Sequence, residues 1–187
     1  MDYLELILIA IGLSFDTFAV SVTAGVLRSR IRFFEAVKVA IIMALFQGTL
    51  PILGYYTGSA FVETVKAYDH WIAFILLAIL GARMIWAGMM VPEKDDNRDL
   101  TKMTVLFTLA MGTSIDAFAV GIGFAFLEVR IVLAAVIIGL VTFMSSMTAI
   151  RLGKAAGPRL GSRAEVAGGV ILIIIGTKIL IEHLMAS

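Results

Sequence analysis

The sequence predicts an all-α integral membrane protein of six transmembrane helices, arranged as two three-helix repeats of inverted topology. Three features carry the prediction: an apolar composition, a motif that recurs at a fixed offset, and a lopsided distribution of basic residues. Hydrophobic residues make up 60% of the 187-residue chain and charged residues only 16%, with mean hydropathy +1.01. Soluble domains carry about 25% charged residues. Apolar runs long enough to cross ~30 Å of hydrocarbon recur along the chain. The absence of cysteine excludes a disulfide framework, a thiolate metal site and a lipid-attachment cysteine. The opening Met1-Asp2-Tyr3-Leu4-Glu5 lacks the basic segment of a secretory signal, so the first apolar stretch is read as a retained span.

Helices are expected at 4–27, 35–61, 70–91, 103–127, 131–152 and 164–184. The second contains "FQGTLP" (46–51), where Pro51 removes a backbone hydrogen bond and Gly48 loosens the turn, freeing carbonyls beside Gln47 and Thr49. The third is stopped by a proline at the start of "VPEKDDNRDL" (91–100), the only long polar stretch. The fifth is diluted by Ser145, Ser146 and Thr148 in its second half. The polar stretch divides the chain into a first repeat (1–92), a cytoplasmic loop (93–102) and a second repeat (103–187).

The two halves resemble each other. Gly12, Ser14, Asp16, Phe18, Ala19, Val20 and Leu27 recur at an offset of 100 as Gly112, Ser114, Asp116, Phe118, Ala119, Val120 and Leu127. Near the end of each half, "LAILGARMI" (77–85) matches "LIIIGTKIL" (172–180), which sets Arg83 opposite Lys178 at an offset of 95. An odd number of spans per repeat makes the copies face opposite ways across the bilayer. With both termini outside, the inner loops hold ten basic residues (Arg28, Arg30, Arg32, Lys94, Arg98, Lys102, Arg151, Lys154, Arg159, Arg163) and the outer loops two, Lys66 and Arg130. That bias is the positive-inside pattern.

Asp16 and Asp116 lie within apolar helices, each ~18–20 Å from its end and so near the midplane. A carboxylate there costs at least ~2.5–3.5 kcal/mol and is functional by default. Gly12, Asp16, Ala19 and Thr23 fall on one face of small residues, repeated by Gly112, Asp116, Ala119 and Gly123. Small faces allow close approach, so the first and fourth helices are expected to cross and bring the carboxylates together. Two carboxylates sharing a site need a proton or a cation between them. The neighbouring candidates Gln47, Thr49 and Ser145 supply amide and hydroxyl oxygen, and oxygen-only sets suit hard cations such as Mg²⁺, Mn²⁺ and Ca²⁺. Ser14 and Ser114 are supporting candidates, with back-bonding to their own helices as the plainer reading. Arg83 and Lys178 either couple to the site, pair with the aspartates as buried salt bridges, or snorkel to the interface.

A midplane cation site between inverted repeats points to a secondary transporter. No phosphate-binding loop occurs. No buried histidine base supports hydrolysis, so the chain is not read as an enzyme. The segments "GLSFDTFAVSV", "GTSIDAFAVGI", "FQGTLPILG", "HWIAFILLAILGARMI" and "AEVAGGVILIIIGTKIL" resemble the bacterial MntP-type manganese efflux pumps over essentially the whole chain. The resemblance implies a relationship to the lysine-exporter superfamily and Mn²⁺ export across the inner membrane, with Asp16 and Asp116 as the functional acids. It implies manganese as transported substrate, with no resident cofactor. Gln47 occupies a place where some members carry glutamate, so a third acidic ligand is not supplied here. Proton entry is the expected coupling, with the lipid bilayer as surroundings and no nucleic-acid partner. Oligomeric state does not follow from the sequence. A passive divalent-cation channel, an exporter of another hard cation and a non-transporting scaffold are the competing readings.

Overall fold

A computed structural model describes residues 3–27, 31–60, 69–90, 103–127, 129–156 and 159–186, and all of its regular structure among them is helical. The helices are α1 (Tyr3–Leu27), α2 (Phe33–Ser59), α3 (Asp69–Met89), α4 (Met103–Thr113), α5 (Ile115–Ala125), α6 (Ile131–Ala156) and α7 (Arg159–Ala186). Apolar stretches of 23 to 27 residues, long enough to cross a bilayer, occupy Tyr3–Val26, Phe33–Ser59, Met103–Ala125 and Ile131–Gly153. The helices expected as third and sixth spans carry shorter apolar stretches, Phe74–Met89 and Val166–Ile181. Leu45, Ile79, Leu140 and Ile174 lie exposed on the outer surface, as lipid-facing side chains do.

The fourth expected span departs from the sequence reading. A single helix over 103–127 is replaced by α4 and α5, which meet at Ser114 with φ −103° and ψ 7°. Gly112, Thr113 and Ser114 are weak helix formers in succession, and serine and threonine compete for backbone partners. Thr113 does so here, donating its hydroxyl to the Leu109 carbonyl at 3.0 Å. By contrast α2 continues through Pro51, which is buried. Its start is held at Arg32, whose backbone N–H donates to the Glu35 carboxylate at 3.1 Å.

The packing partners follow a pattern. α1 runs alongside α6 in the same direction: Ser14 meets Ser145, Ser21 meets Ser146, and Val22 meets Gly153. α2 runs alongside α5 in the same direction, with Pro51 against Gly121 and Gly58 against Ile122. α2 and α6 run antiparallel (Gly48 by Ala135, Ala44 by Gly139), as do α3 and α7 (Gly81 by Gly169, Phe74 by Gly176). A Cβ on Gly54 would collide with the Phe118 carbonyl oxygen, so only glycine permits this closeness between α2 and α5. Leu13, Leu77, Phe124, Ile138 and Leu172 belong to one buried cluster that joins α1, α3, α5, α6 and α7.

The expected crossing of small faces is not what brings α1 and the α4–α5 pair together. α1 touches α4 only lightly, and its small residues serve other partners. Gly12 lies against Leu172 of α7, Gly25 lies against Ile150 of α6, and Gly121 lies against Pro51. Gly112 faces open space among the described residues. Links to α1 come instead from Gln47 of α2, bonded to the Leu13 carbonyl, and from Ser145 of α6, bonded to the Ser14 carbonyl.

Candidate cation site at a helix break

Asp16 lies mid-way along α1, and Asp116 lies in the first turn of α5, immediately after the break. The two carboxyl groups lie within electrostatic and hydrogen-bonding reach of one another. Asp116 is 1% exposed, whereas Asp16 is partly accessible. The two are held alike. Asp16 Oδ1 accepts the Thr17 N–H, and Asp116 Oδ1 accepts the Ala117 N–H at 2.7 Å. The start of α5 adds an independent electrostatic term, because free N–H groups at a helix N-terminus favour negative charge beside them. Two carboxylates in contact under this burial require a neutralising proton or cation.

Gln47 ties the break to α1. From α2 its side-chain amide donates to the Leu13 carbonyl at 3.1 Å and its Oε1 accepts the Ser114 hydroxyl at 2.7 Å. Gln47 and Ser114 are both fully buried. The Ser114 hydroxyl is thereby committed to Gln47, so it makes no side-chain cap for α5. Ser14 bonds back to the Ile11 carbonyl at 2.8 Å, the plainer reading for that residue. Ser145 reaches the Ser14 carbonyl at 3.4 Å, and its neighbour Ser146 meets Ser21 at 2.7 Å.

Several candidates stand elsewhere. Thr49 is exposed and turns its hydroxyl to the Leu45 carbonyl at 2.7 Å, because it lies on the outward side of α2 while Gln47 points inward. Lys178 pairs with Glu5 at 2.6 Å rather than with either aspartate, an ion pair joining α7 to the first turn of α1. Glu5 is 7% exposed, and sequence reading missed it because it stands at the very start of the first span. Arg83 is exposed on α3 yet within electrostatic reach of Asp116. Ala19 and Gly123 are buried beside the site helices, and Gly112 is exposed. Among the described residues no group of three His, Cys, Asp or Glu side chains forms a metal cluster. Thr17, Ser21 and Thr142 are buried polar residues that the sequence reading passed over. Thr17 and Ser21 sit on the aspartate helix at turn spacing from one another, which was a legible signal.

Comparison with known proteins decides the family. Residues 30–180 match the family described as "Putative manganese efflux pump". The chain belongs to this family. It is a family of transporters, not of enzymes. Relatives bearing the same description include a protein from Clostridium botulinum (strain Langeland), 42% identical with 98% of this chain and 96% of the relative covered. One from Actinobacillus succinogenes is 43% identical, covering 98% of each. Another, from Rippkaea orientalis, is 40% identical, covering 99% of each. No solved structure matches the chain. Membership of this family and the long apolar helices make the chain a multi-pass membrane protein.

Proposed function

We propose that this protein exports Mn²⁺ from the bacterial cytoplasm across the inner membrane, in exchange for protons, with Asp16 and Asp116 as the shared cation and proton site. The single observation that carries the reading is the closeness of two carboxyls inside apolar helices, Asp116 fully buried at a helix break, with neutral oxygens around them. Broken helices whose ends face a central site are a transporter device. Two negative charges match one divalent ion, and oxygen donors suit Mn²⁺ among hard cations. The metal's identity is supported by what the relatives are named for. Moving a divalent ion out against an inside-negative potential costs about 4.6 kcal/mol per 100 mV, from about 2.3 per charge, so export needs a coupled ion. Protons competing for the same carboxylates provide it: deprotonation admits metal from inside, and protonation releases it outside.

The repeat architecture belongs to the same proposal. Six crossings, two inverted repeats and both termini outside are supported by three features. The repeat motifs stand at fixed offsets, ten basic residues against two favour the inner loops, and helix partners exchange in pairs. α1 with α6 corresponds to α5 with α2, and in both pairs the helices run the same way.

The test is cell-associated manganese under manganese load, in cells lacking other exporters. The native chain is expected to lower it, while Asp16→Asn and Asp116→Asn at equal membrane abundance are expected to leave it at the vector level. Raised manganese with the native chain would mean a passive channel. Native-like export by both variants would sink the aspartate mechanism.

A further inference from the structure

We propose that the Thr142 hydroxyl is a further oxygen ligand of the cation site, contributed by α6. The inference rests on the transport reading above and adds a residue to its site. Thr142 is 0% exposed, and its Oγ1 has no hydrogen-bond partner among the described residues. Most other helical threonines show what it forgoes, Thr17 being an exception that turns its hydroxyl to Asp16 Oδ1 at 3.3 Å. Thr23, Thr49, Thr57, Thr108, Thr148 and Thr177 each donate to the carbonyl one turn earlier, at 2.7 to 3.1 Å. That local bond is open to any helical threonine. A fully buried hydroxyl that declines it carries an uncompensated desolvation cost, which calls for an explanation.

Its place in the packing supplies one. One turn earlier Gly139 lies by Ala44 of α2, where an added Cβ would stand 3.3 Å from the carbonyl oxygen. One turn later Ser145 reaches the Ser14 carbonyl of α1 at 3.4 Å. Thr142 therefore stands where α6 meets both α1 and α2. Gln47 spans that same junction from α2, reaching Leu13 on α1 and Ser114 at the helix break.

The register between the halves leads to the same residue. Gly121 lies by Pro51 as Ser21 lies by Ser146, and Ile122 lies by Gly58 as Val22 lies by Gly153. Both correspondences pair α1 with α5 at an offset of 100 and α2 with α6 at an offset of 95. At that offset the counterpart of Gln47 is Thr142. One half thus presents an amide already tied to its neighbours, and the other presents a hydroxyl without a tie. A neutral hydroxyl is a hard donor, and it enlarges the oxygen set around the two carboxylates without adding charge.

The full-length protein in lipid nanodiscs, titrated with Mn²⁺ alone and melted without metal, tests this. Thr142→Val is expected to weaken Mn²⁺ binding about tenfold and to raise the metal-free melting temperature, since it removes a buried hydroxyl that lacks a partner. Thr142→Ser keeps the hydroxyl and is expected to bind close to native. A hydroxyl with a merely structural role gives the opposite sign, a lowered melting temperature on replacement by valine. Native-like binding by Thr142→Val overturns the proposal, and so does a valine variant that melts lower or fails to fold. Asp116→Asn separates this failure from that of the transport site. If Asp116→Asn loses binding while Thr142→Val keeps it, Thr142 alone is rejected. If Asp116→Asn also binds as native, the aspartate site itself is wrong.

Discussion

Gln47 holds three helices with one side chain, and its replacement separates structural from transport effects. Gln47→Leu keeps most of the volume but leaves the Leu13 carbonyl and the Ser114 hydroxyl without their partners. Two buried groups left unsatisfied cost about 1–3 kcal/mol each, so the melting temperature should fall measurably in detergent. Gln47→Glu is the informative companion. It keeps an acceptor for Ser114 and adds a third acid beside Asp16 and Asp116, so Mn²⁺ binding should tighten in a direct titration at neutral pH. The aspartates also set a pH dependence. Protons compete with metal for the same oxygens, so the apparent Mn²⁺ affinity of the native protein should fall steadily as pH is lowered. Asp16→Asn should flatten that dependence, and an unchanged slope would remove Asp16 from the proton path. Both aspartates and Gln47 were legible in the sequence, because a polar residue inside an apolar helix is conspicuous. Thr142 was not, because a threonine in such a helix is ordinary until its missing back-bond is seen.

At the level of helices, glycines should respond in opposite ways according to what faces them. Gly54→Ala drives a methyl into the Phe118 backbone, which cannot rotate away. Overpacking of this kind costs about 1–3 kcal/mol and should separate α2 from α5, seen as a lower melting temperature and impaired export. Gly112→Ala meets open space in α4 and should gain about 0.5–1 kcal/mol from helix propensity, seen as a small rise in melting temperature. The α1–α6 seam has its own test. The chain has no cysteine, so Ser21→Cys with Ser146→Cys introduces a single candidate pair at a 2.7 Å hydroxyl contact. Rapid oxidative cross-linking in membranes is expected, and none would mean that α1 and α6 do not pack in this register. Helix positions were readable from apolar length. The break at Ser114 was read through, although Gly112-Thr113-Ser114 signalled it, because the hydropathy of the span is unbroken there.

For the whole molecule, orientation is the property on which the direction of transport depends. Single cysteines at Met185 and Asp95 should label oppositely with an impermeant maleimide in intact cells: Met185→Cys directly, Asp95→Cys only after permeabilisation. Labelling of both from one side would give the second half an even number of crossings and dismantle the inverted repeat. The equivalent glycines of the two halves differ in their surroundings. α1 lies along α7 with Gly12 against Leu172 and Glu5 paired to Lys178, while Gly112 faces open space among the described residues.

By itself the sequence determined the membrane class, the recurring aspartate motif, the clustering of basic residues in alternate loops and the family resemblance. These follow from composition and periodicity, which the bilayer reads one helix at a time: each span must hide its own backbone polar groups, so its apolar length is written locally. Which faces meet was decided only in three dimensions. The small-residue stripes were read as the contact between the two aspartate helices, yet Gly12 packs on Leu172 of α7 and Gly112 meets no described neighbour. A stripe of small residues allows any close neighbour and names none, because van der Waals packing carries no label. The pairing of Lys178 with Glu5, the bridge through Gln47 and the solitary hydroxyl of Thr142 likewise depend on residues between 34 and 173 positions apart, or on the lack of any partner. No local pattern could have announced them.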